Sequence, residues 1–419
     1  MEQGYTIAAS LWLARILTGR DAIPHDSGVG NKGLRVRLSR RAMGAMLVAC
    51  AIGGTKSPRA LAADTKPLQV PPPASISAKG VYVFDRRSGV PLFARDADLP
   101  LPPASLTKIV AALVVLDRAD LSQMITIQEG DLVSPEESQV GLVAGDSLSV
   151  RDLLFGALIP SGNDATIALA RTIGAADLEE DASVDEAIAR FVEMMNEKAS
   201  EIGATSSHLM YPTGIDREGH VMSARDVATA SAVALENPLF AEIVSTQRAT
   251  LPSQVRPEGY EIFTTNDLLV EGLVNGVKTG STPQAGGCLA TSFDLGPGQI
   301  VSVVLGSTFT EDAEGFPDYS QRFTDTRTLI SSAESDFVWL DLASPETLKG
   351  LNEELAVWDV AIPEQLQVPV PVEDTSQLRY RLRLGPPDSA DGAAGELQVF
   401  VGDALLLSQP ATVASQAVA

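Results

Sequence analysis

The spacing of hydrophobic residues changes twice along this chain, from the period of a strand to that of a helix and back again. Residues 80–85 and 90–94 alternate around a short turn, which predicts a β-hairpin. Residues 105–235 then carry apolar side chains at helical spacing, whereas 287–292 and 299–305 alternate again. Strands on both sides of a helical block pair most simply in one antiparallel sheet. The sequence therefore predicts an α+β fold and not a repeated βαβ unit.

The helical block divides into several predicted helices. The first begins just before Ser105, because apolar side chains recur at helical spacing from Leu106 to Val114. Ser183 and Glu186 have the spacing of a capping box, which starts another helix. The further helices are expected over residues 148–159, 164–172, 184–202 and 224–235, with a last one near 324–332.

The amino-terminal part has the pattern of a targeting segment. Residues 32–62 place basic side chains before an apolar run and a small-residue motif, which is the order of a secretory signal peptide. We therefore expect residues 1–62 to form a signal peptide region, cleaved after Ala62, and residues 63–78 to form a proline-rich linker. A lipoprotein signal with Cys50 as the lipidated residue is the alternative.

The carboxy-terminal part changes to short strand-like runs separated by Pro, Gly and Asp. This texture predicts a small β-rich domain over residues 336–419, behind a main domain over residues 79–335. The last residues contain no basic, apolar stripe, so we expect no C-terminal membrane anchor. With the signal peptide, this predicts an exported protein of the periplasm or cell envelope.

The composition argues against several classes of partner. The formal net charge is -23, whereas proteins that bind nucleic acid cluster Lys and Arg against phosphates. The two cysteines, Cys50 and Cys288, form no metal-ligand pattern with the three histidines. We therefore expect no nucleic acid, no metal and no cofactor, and the sequence leaves the oligomeric state open.

Three short motifs carry the candidate chemistry, and the first is Ser105-Leu106-Thr107-Lys108. Residues three apart share one face of a helix, so the Lys108 amine can reach the Ser105 hydroxyl. A serine hydroxyl is a weak nucleophile until a base takes its proton, and lysine serves when burial or nearby charge lowers its pKa. Backbone amides at the helix start can stabilise a developing oxyanion.

The other two motifs supply polar groups around that pair. Ser161-Gly162-Asn163 lies between two predicted helices, where a hydroxyl and a carboxamide can orient the lysine and pass a proton to a leaving amine. Lys278-Thr279-Gly280 comes ahead of a predicted strand. A cation and a hydroxyl there suit a substrate carboxylate, and the glycine admits a close substrate backbone.

Two other features have a simpler interpretation. Gly145-Asp146-Ser147-Leu148 has the letters of an esterase nucleophile block, but that chemistry needs a downstream histidine and none follows His220. We interpret the motif as a turn and a helix start. His208 and His220 lack the pattern of a triad or a metal site, so we interpret them as surface or packing residues, with a supporting role open for His220.

The order and spacing of the three motifs are more specific than any one of them. Ser-x-Asn follows the first serine by 56 residues, and Lys-Thr-Gly follows 117 residues later, which is typical of penicillin-binding proteins and serine β-lactamases. The chain resembles the low-molecular-mass penicillin-binding proteins, the D-alanyl-D-alanine carboxypeptidase family of serine peptidases. Five blocks carry this resemblance: residues 102–116, 153–170, 211–228, 274–292 and 300–308.

The resemblance implies a catalytic domain of the serine β-lactamase/D,D-peptidase type, with an antiparallel sheet flanked by helices, and a small all-β domain after it. The implied reaction hydrolyses the terminal D-Ala-D-Ala bond of peptidoglycan stem pentapeptides through an acyl-enzyme, with β-lactams as inhibitors. The implied roles are nucleophile for Ser105, general base for Lys108, proton network for Ser161 and Asn163, carboxylate binding for Lys278 and Thr279 beside Gly280, and an oxyanion hole from the amides of Ser105 and Ser281.

Three alternatives stay open. A D,D-endopeptidase would cut crosslinks with the same residues. A β-lactamase needs fast deacylation, and no Glu-bearing loop devoted to that step is evident in the sequence. A non-catalytic scaffold that binds the cell wall would not need the intact Ser105, Lys108, Asn163 and Lys278 set.

Overall fold

An antiparallel five-stranded sheet lies at the centre of the main domain in the computed structural model, which describes residues 66–311, 315–362, 366–384 and 393–413. The predicted signal peptide lies outside these residues. In chain order the strands up to residue 318 are β1 (Gly80–Asp85), β2 (Pro91–Arg95), β3 (Met124–Thr126), β4 (Ser147–Ser149), β5 (Arg248–Leu251), β6 (Tyr260–Phe263), β7 (Val277–Thr282), β8 (Gly286–Leu295), β9 (Gly298–Ser307), β10 (Thr310–Glu311) and β11 (Pro317–Asp318). The spatial order of the central sheet is β2-β1-β9-β8-β7.

Successive side chains of each strand point to opposite faces of the sheet. Both faces are buried. In β9, Val301 and Val303 belong to the larger hydrophobic core together with the central helices. Ile300 and Val304 belong to a second core on the other face. Helices therefore cover the sheet on both sides, and the predicted α+β fold with an antiparallel sheet is confirmed.

The helices lie close to their predicted positions. Ser149, Ser183 and Ser223 each accept a hydrogen bond from a backbone N–H in the first turn of the helix that follows. No single described helix is both long and apolar enough to cross a membrane; one pair bent by 114° meets that test only jointly. The helices are α1 (Thr107–Arg118), α2 (Val150–Leu158), α3 (Asn163–Ala175), α4 (Val184–Glu201), α5 (Ala224–Ala234), α6 (Pro238–Val244), α7 (Asp267–Val270) and α8 (Gln321–Asp336).

Two local features go beyond the expectations from sequence. The Lys278-Thr279-Gly280 motif lies ahead of β8, which covers the predicted strand over residues 287–292, and is itself part of β7 at the edge of the sheet. Residues 66–78, expected as a linker, are hydrogen-bonded to the folded body: Leu68 N–H donates to the Leu405 carbonyl oxygen at 2.8 Å, and Ser77 Oγ donates to Asp325 at 2.8 Å.

The carboxy-terminal part contains the expected sheets and its own hydrophobic core. One helix, α9 (Leu351–Trp358), was not predicted there; it buries Leu351 and Leu355, which are one turn apart. The division at residue 336 stays a prediction. The strands are β12 (Phe337–Asp341), β13 (Val360–Ala361), β14 (Gln367–Pro371), β15 (Leu378–Leu384), β16 (Ala393–Val401) and β17 (Ala404–Val413), where β12 pairs with β14 and the others are ordered β13-β17-β16-β15.

Candidate active site

Ser105 lies in a single 3-10 turn, Ala104–Leu106, that leads into α1. Ala104 has a left-handed φ of 50°, and Thr107 Oγ1 donates to the Ala104 carbonyl oxygen at 2.8 Å. The predicted helix therefore begins at Thr107, because the chain ahead of it forms a tighter turn. This turn leaves Ser105 half-buried in front of the helix.

Lys108 directs its amine back to the Ser105 hydroxyl. Lys108 Nζ donates to Ser105 Oγ at 3.0 Å, to Asn163 Oδ1 at 2.7 Å and to the Thr213 carbonyl oxygen at 2.9 Å. An ammonium group has three donors, so these bonds occupy all of them. The structure therefore brings Ser105, Lys108 and Asn163 together.

The surroundings of Lys108 lower the pKa of its amine. The side chain is 1% exposed. Burial lowers the pKa of Lys108 from 10.5 to about 7, although the carboxylates of Asp164 and Glu137 favour the ammonium form. A substantial fraction of the amine is therefore neutral near pH 7 and able to accept a proton.

Ser161 and Asn163 lie at the start of α3 in different surroundings. Asn163 Nδ2 donates to Glu137 Oε2 at 2.7 Å. Ser161 is buried and has a left-handed φ of 66°. Its hydroxyl is not among the three groups that Lys108 contacts, so its place in a proton network stays a prediction.

Strand β7 passes directly beside the turn that carries Ser105. A Cβ atom added to Gly280 would lie 3.0 Å from the Pro103 carbonyl oxygen and 3.1 Å from the Ser105 backbone nitrogen. A side chain here would require the neighbouring atoms to shift by a few tenths of an ångström, so glycine allows the closest approach. The next residue, Ser281, is half-buried and pairs with Gly287 of β8.

Lys278 and Thr279 are buried within β7. Lys278 Nζ donates to the Thr279 carbonyl oxygen at 2.9 Å and is 1% exposed. Burial, together with the nearby charges of Lys108 and Arg322, lowers the pKa of Lys278 well below its ordinary value. Thr279 Oγ1 forms a hydrogen bond with Thr265 Oγ1.

Sequence reasoning missed several groups that the fold brings to this site. The Thr213 carbonyl reaches Lys108 because Gly214, with a φ of 86°, allows that loop to pass the Ala104 carbonyl. Arg322 of α8 donates from Nη1 to the Gly280 carbonyl oxygen at 2.9 Å. Glu137 belongs to a Glu-bearing loop at the site, which the sequence did not indicate. No local pattern marks any of these residues.

His220 is a buried residue that contacts the turn carrying Ser105 through Thr107. Its Nδ1 accepts from the Met210 backbone N–H at 3.0 Å, so its Nε2 carries the proton and donates to Thr107 Oγ1 at 2.8 Å. Burial, followed by the charge of Arg217, lowers the pKa of His220 to about 4. The neutral His220 ring is therefore both a packed core residue and a hydrogen-bond donor to Thr107. His208, in contrast, is exposed.

The site lies within a segment that matches a known family. Residues 66–308, more than half of the chain, match the family described as D-alanyl-D-alanine carboxypeptidase. The chain is 35% identical over 228 residues to the D-alanyl-D-alanine carboxypeptidase DacB2 of Mycobacterium tuberculosis, which covers 53% of this chain and 72% of that protein.

Solved structures agree with this match. The Streptomyces K15 DD-transpeptidase aligns with a TM-score of 0.55 and 29% identity, over 62% of this chain and 98% of that one. Penicillin-binding protein 5 from Haemophilus influenzae aligns in fold with a TM-score of 0.64 and 23% identity, over 82% of this chain and 98% of that one. The resemblance inferred from the motifs is confirmed: the chain belongs to the D-alanyl-D-alanine carboxypeptidase family of low-molecular-mass penicillin-binding proteins.

Proposed function

We propose that this chain is a serine D-alanyl-D-alanine carboxypeptidase that removes the last D-alanine from peptidoglycan stem pentapeptides and binds penicillins at the same serine. The observation that carries the proposal is the 3.0 Å hydrogen bond from Lys108 Nζ to Ser105 Oγ in a desolvated site. Membership of the carboxypeptidase family supports the reaction class.

Acylation begins when neutral Lys108 takes the proton of Ser105. Ser105 Oγ then attacks the carbonyl carbon of the penultimate D-alanine, and the backbone N–H groups of Ser105 and Ser281 stabilise the oxyanion. The closeness of β7 to the Ser105 nitrogen supports this pairing of amides. Lys108, with Ser161 and Asn163 in its network, returns a proton to the nitrogen of the leaving D-alanine.

The terminal carboxylate of the substrate binds at Lys278 and Thr279, where Gly280 admits the peptide backbone. Burial and the neighbouring cations Lys108 and Arg322 lower the pKa of Lys278. An incoming carboxylate favours the ammonium form, so binding and protonation of this lysine support each other. Water then cleaves the acyl-enzyme and restores the free serine.

The cellular setting follows from the same proposal. A substrate in the cell wall requires an exported enzyme, which agrees with the secretory pattern of residues 1–62. We propose a periplasmic or envelope-associated protein that acts in cell-wall maturation and cell shape. Mass spectrometry of the mature amino terminus tests this: cleavage after Ala62 supports it, whereas a retained segment or a lipid on Cys50 contradicts the proposed cleavage.

A β-lactamase activity is the second candidate, because Glu137 lies on a loop at the site. Fast hydrolysis of a penicillin requires water activation at the acyl-enzyme, for which a carboxylate is suited. Endopeptidase activity and a non-catalytic scaffold stay as further alternatives, because they need the same binding surface.

One experiment separates these functions. Purified protein, Ser105→Ala and the surface control Ser200→Ala are incubated with a fluorescent penicillin, and D-alanine release from a D-Ala-D-Ala pentapeptide is measured. Labelling and release that vanish only in Ser105→Ala support the proposal. Labelling without release indicates an endopeptidase or a scaffold, and rapid penicillin turnover indicates a β-lactamase. A native protein that takes no label refutes the role of Ser105.

A further inference from the structure

Glu137 is joined to Lys108 through a single side chain. Glu137 Oε2 accepts from Asn163 Nδ2 at 2.7 Å, and Asn163 Oδ1 accepts from Lys108 Nζ at 2.7 Å. The Asn163 carboxamide therefore bridges a carboxylate and the amine that serves as the base. The mechanism above uses Asn163 and leaves Glu137 without a role.

The carboxylate of Glu137 determines which end of the Asn163 carboxamide faces Lys108. An ionised carboxylate only accepts hydrogen bonds, so the amide nitrogen must point to Glu137 and the amide oxygen to Lys108. A carboxamide without this partner can rotate by half a turn and direct its N–H groups at the amine. That orientation would remove an acceptor from Lys108 and displace its amine from Ser105.

The loop that carries Glu137 is itself bound to the start of α3. Asn163 N–H donates to the Ser138 carbonyl oxygen at 2.8 Å. The Asp164 carboxylate accepts from the backbone N–H groups of Val140, Gly141 and Leu142 at 3.0, 2.9 and 3.0 Å. The same turn of helix therefore positions both Asn163 and the loop, and Glu137 is half-buried at their junction.

Charged groups on three neighbouring segments affect the protonation of Lys108. Asp164 on α3 and Glu137 on the loop favour its ammonium form, whereas the cationic form of Lys278 on β7 opposes it. Asp164 has the larger effect, but its oxygens hold the loop by three backbone bonds. Glu137 is the carboxylate whose charge can be removed while the loop keeps those bonds.

Glu137 also interacts with Tyr211, whose ring in turn contacts Arg217. The charge of Glu137 contributes to the raised pKa of Tyr211, behind burial as the main cause. The Arg217 guanidinium lies over the Tyr211 ring, 4.1 Å from its centroid. Tyr211, with its raised pKa, stays neutral across the range in which Lys108 titrates, so its titration does not contribute to the pH profile of acylation.

We propose that Glu137 is a positioning residue for acyl transfer: it fixes the orientation of the Asn163 carboxamide and thereby holds the Lys108 amine against Ser105. The inference rests on the function proposed above. It gives the loop that carries Glu137 a role in positioning the base of the reaction.

The test is the pH dependence of acylation by a fluorescent penicillin in the native protein, Glu137→Gln, Glu137→Ala and the control Glu136→Gln. Glutamine keeps an acceptor for Asn163 without the charge, so the midpoint moves to lower pH. The ratio of the rate at about pH 6 to that at about pH 8 then rises about threefold, while the high-pH plateau stays within about twofold. Alanine also frees the carboxamide, so its plateau falls about tenfold. Glu136 is exposed, and its variant keeps the native profile.

The outcomes distinguish the two proposals. A Glu137→Gln profile that superimposes on the native one overturns the role of Glu137. So does an equal loss of plateau in both Glu137 variants without a shift of midpoint, because this is the result of a merely structural residue. Absence of acylation in the native protein at every pH sinks the proposed function of Ser105 instead.

Discussion

Lys108 Nζ lies 3.0 Å from Ser105 Oγ, and the lysine that makes this bond is 1% exposed. Proximity alone would not produce a base, because an ordinary lysine is protonated at neutral pH. Burial changes this by destabilising the ammonium form. The fold therefore places beside Ser105 an amine that can accept a proton near pH 7, as the proposed mechanism requires.

The rate of acylation by a penicillin is expected to rise with pH around a midpoint near 7, the pKa of Lys108. Below that midpoint the ammonium form predominates, so each lower pH unit reduces the rate about tenfold. Stopped-flow labelling from about pH 5 to about pH 9 measures this, with circular dichroism as the control for unfolding. A flat profile in folded protein would exclude Lys108 as the base.

Gly280→Ala is expected to slow acylation at least about tenfold, because the new Cβ presses on the turn that carries Ser105. That atom would lie 3.1 Å from the Ser105 nitrogen and 3.0 Å from the Pro103 carbonyl oxygen. Gly130→Ala is the matched control, since its added Cβ meets no atom within 4 Å. Labelling rates and thermal melts decide the outcome. Equal labelling rates in the two variants would show that β7 shifts to make room for the added Cβ without slowing acylation.

Local patterns predicted the parts of this site that depend on neighbours in sequence. The spacing of Ser105 and Lys108 places both on adjacent turns, and the capping box of Ser183 and Glu186 forms as expected. Both relations depend only on the geometry of a helix start. The central helices and the strands of the sheet were predictable for a related reason, because the spacing of apolar residues along each segment is also a local property.

Contacts between distant segments could not be predicted in this way. Thr213 meets Lys108 across 105 residues and Glu137 meets Asn163 across 26, and neither contact leaves a periodic trace. Lys278 and Thr279 belong to a strand that the pattern did not show, because their polar side chains are buried where apolar ones are usual. Polar side chains at these two positions replace the apolar signal of a core strand, as is expected where a strand passes a functional site.

Arg322→Gln is expected to reduce kcat/KM for a D-Ala-D-Ala peptide about 10-fold to 100-fold, because the substrate carboxylate loses a nearby positive charge, an effect of the size of a bond to a charged group. Arg322 donates to the Gly280 carbonyl oxygen and adds positive charge beside Lys278. A peptide with an amidated C-terminus lacks the carboxylate, so the variant should process it nearly as the native protein does. The ratio of the two substrates is the measurement. An equal loss on both would mean that Arg322 only supports the strand.

His220 is expected to make the fold weaker in mild acid. Its pKa is about 4 in the folded protein against an ordinary 6.5, so the unfolded chain binds the proton first as pH falls. The contribution of the neutral His220 ring to the free energy of unfolding is therefore fully present above about pH 6.5. It is lost progressively as the pH falls towards about pH 4.

The expected loss from this residue is about 2 kcal/mol between about pH 7 and about pH 5. Urea unfolding at the two pH values, compared between the native protein, His220→Gln and His208→Gln, measures it. The His220 variant should show a smaller drop by about that amount, and the exposed His208 variant should match the native protein. If the His220 variant loses as much stability as the native protein, the ring is protonated without cost and the bond that it makes with Thr107 does not depend on its neutral form.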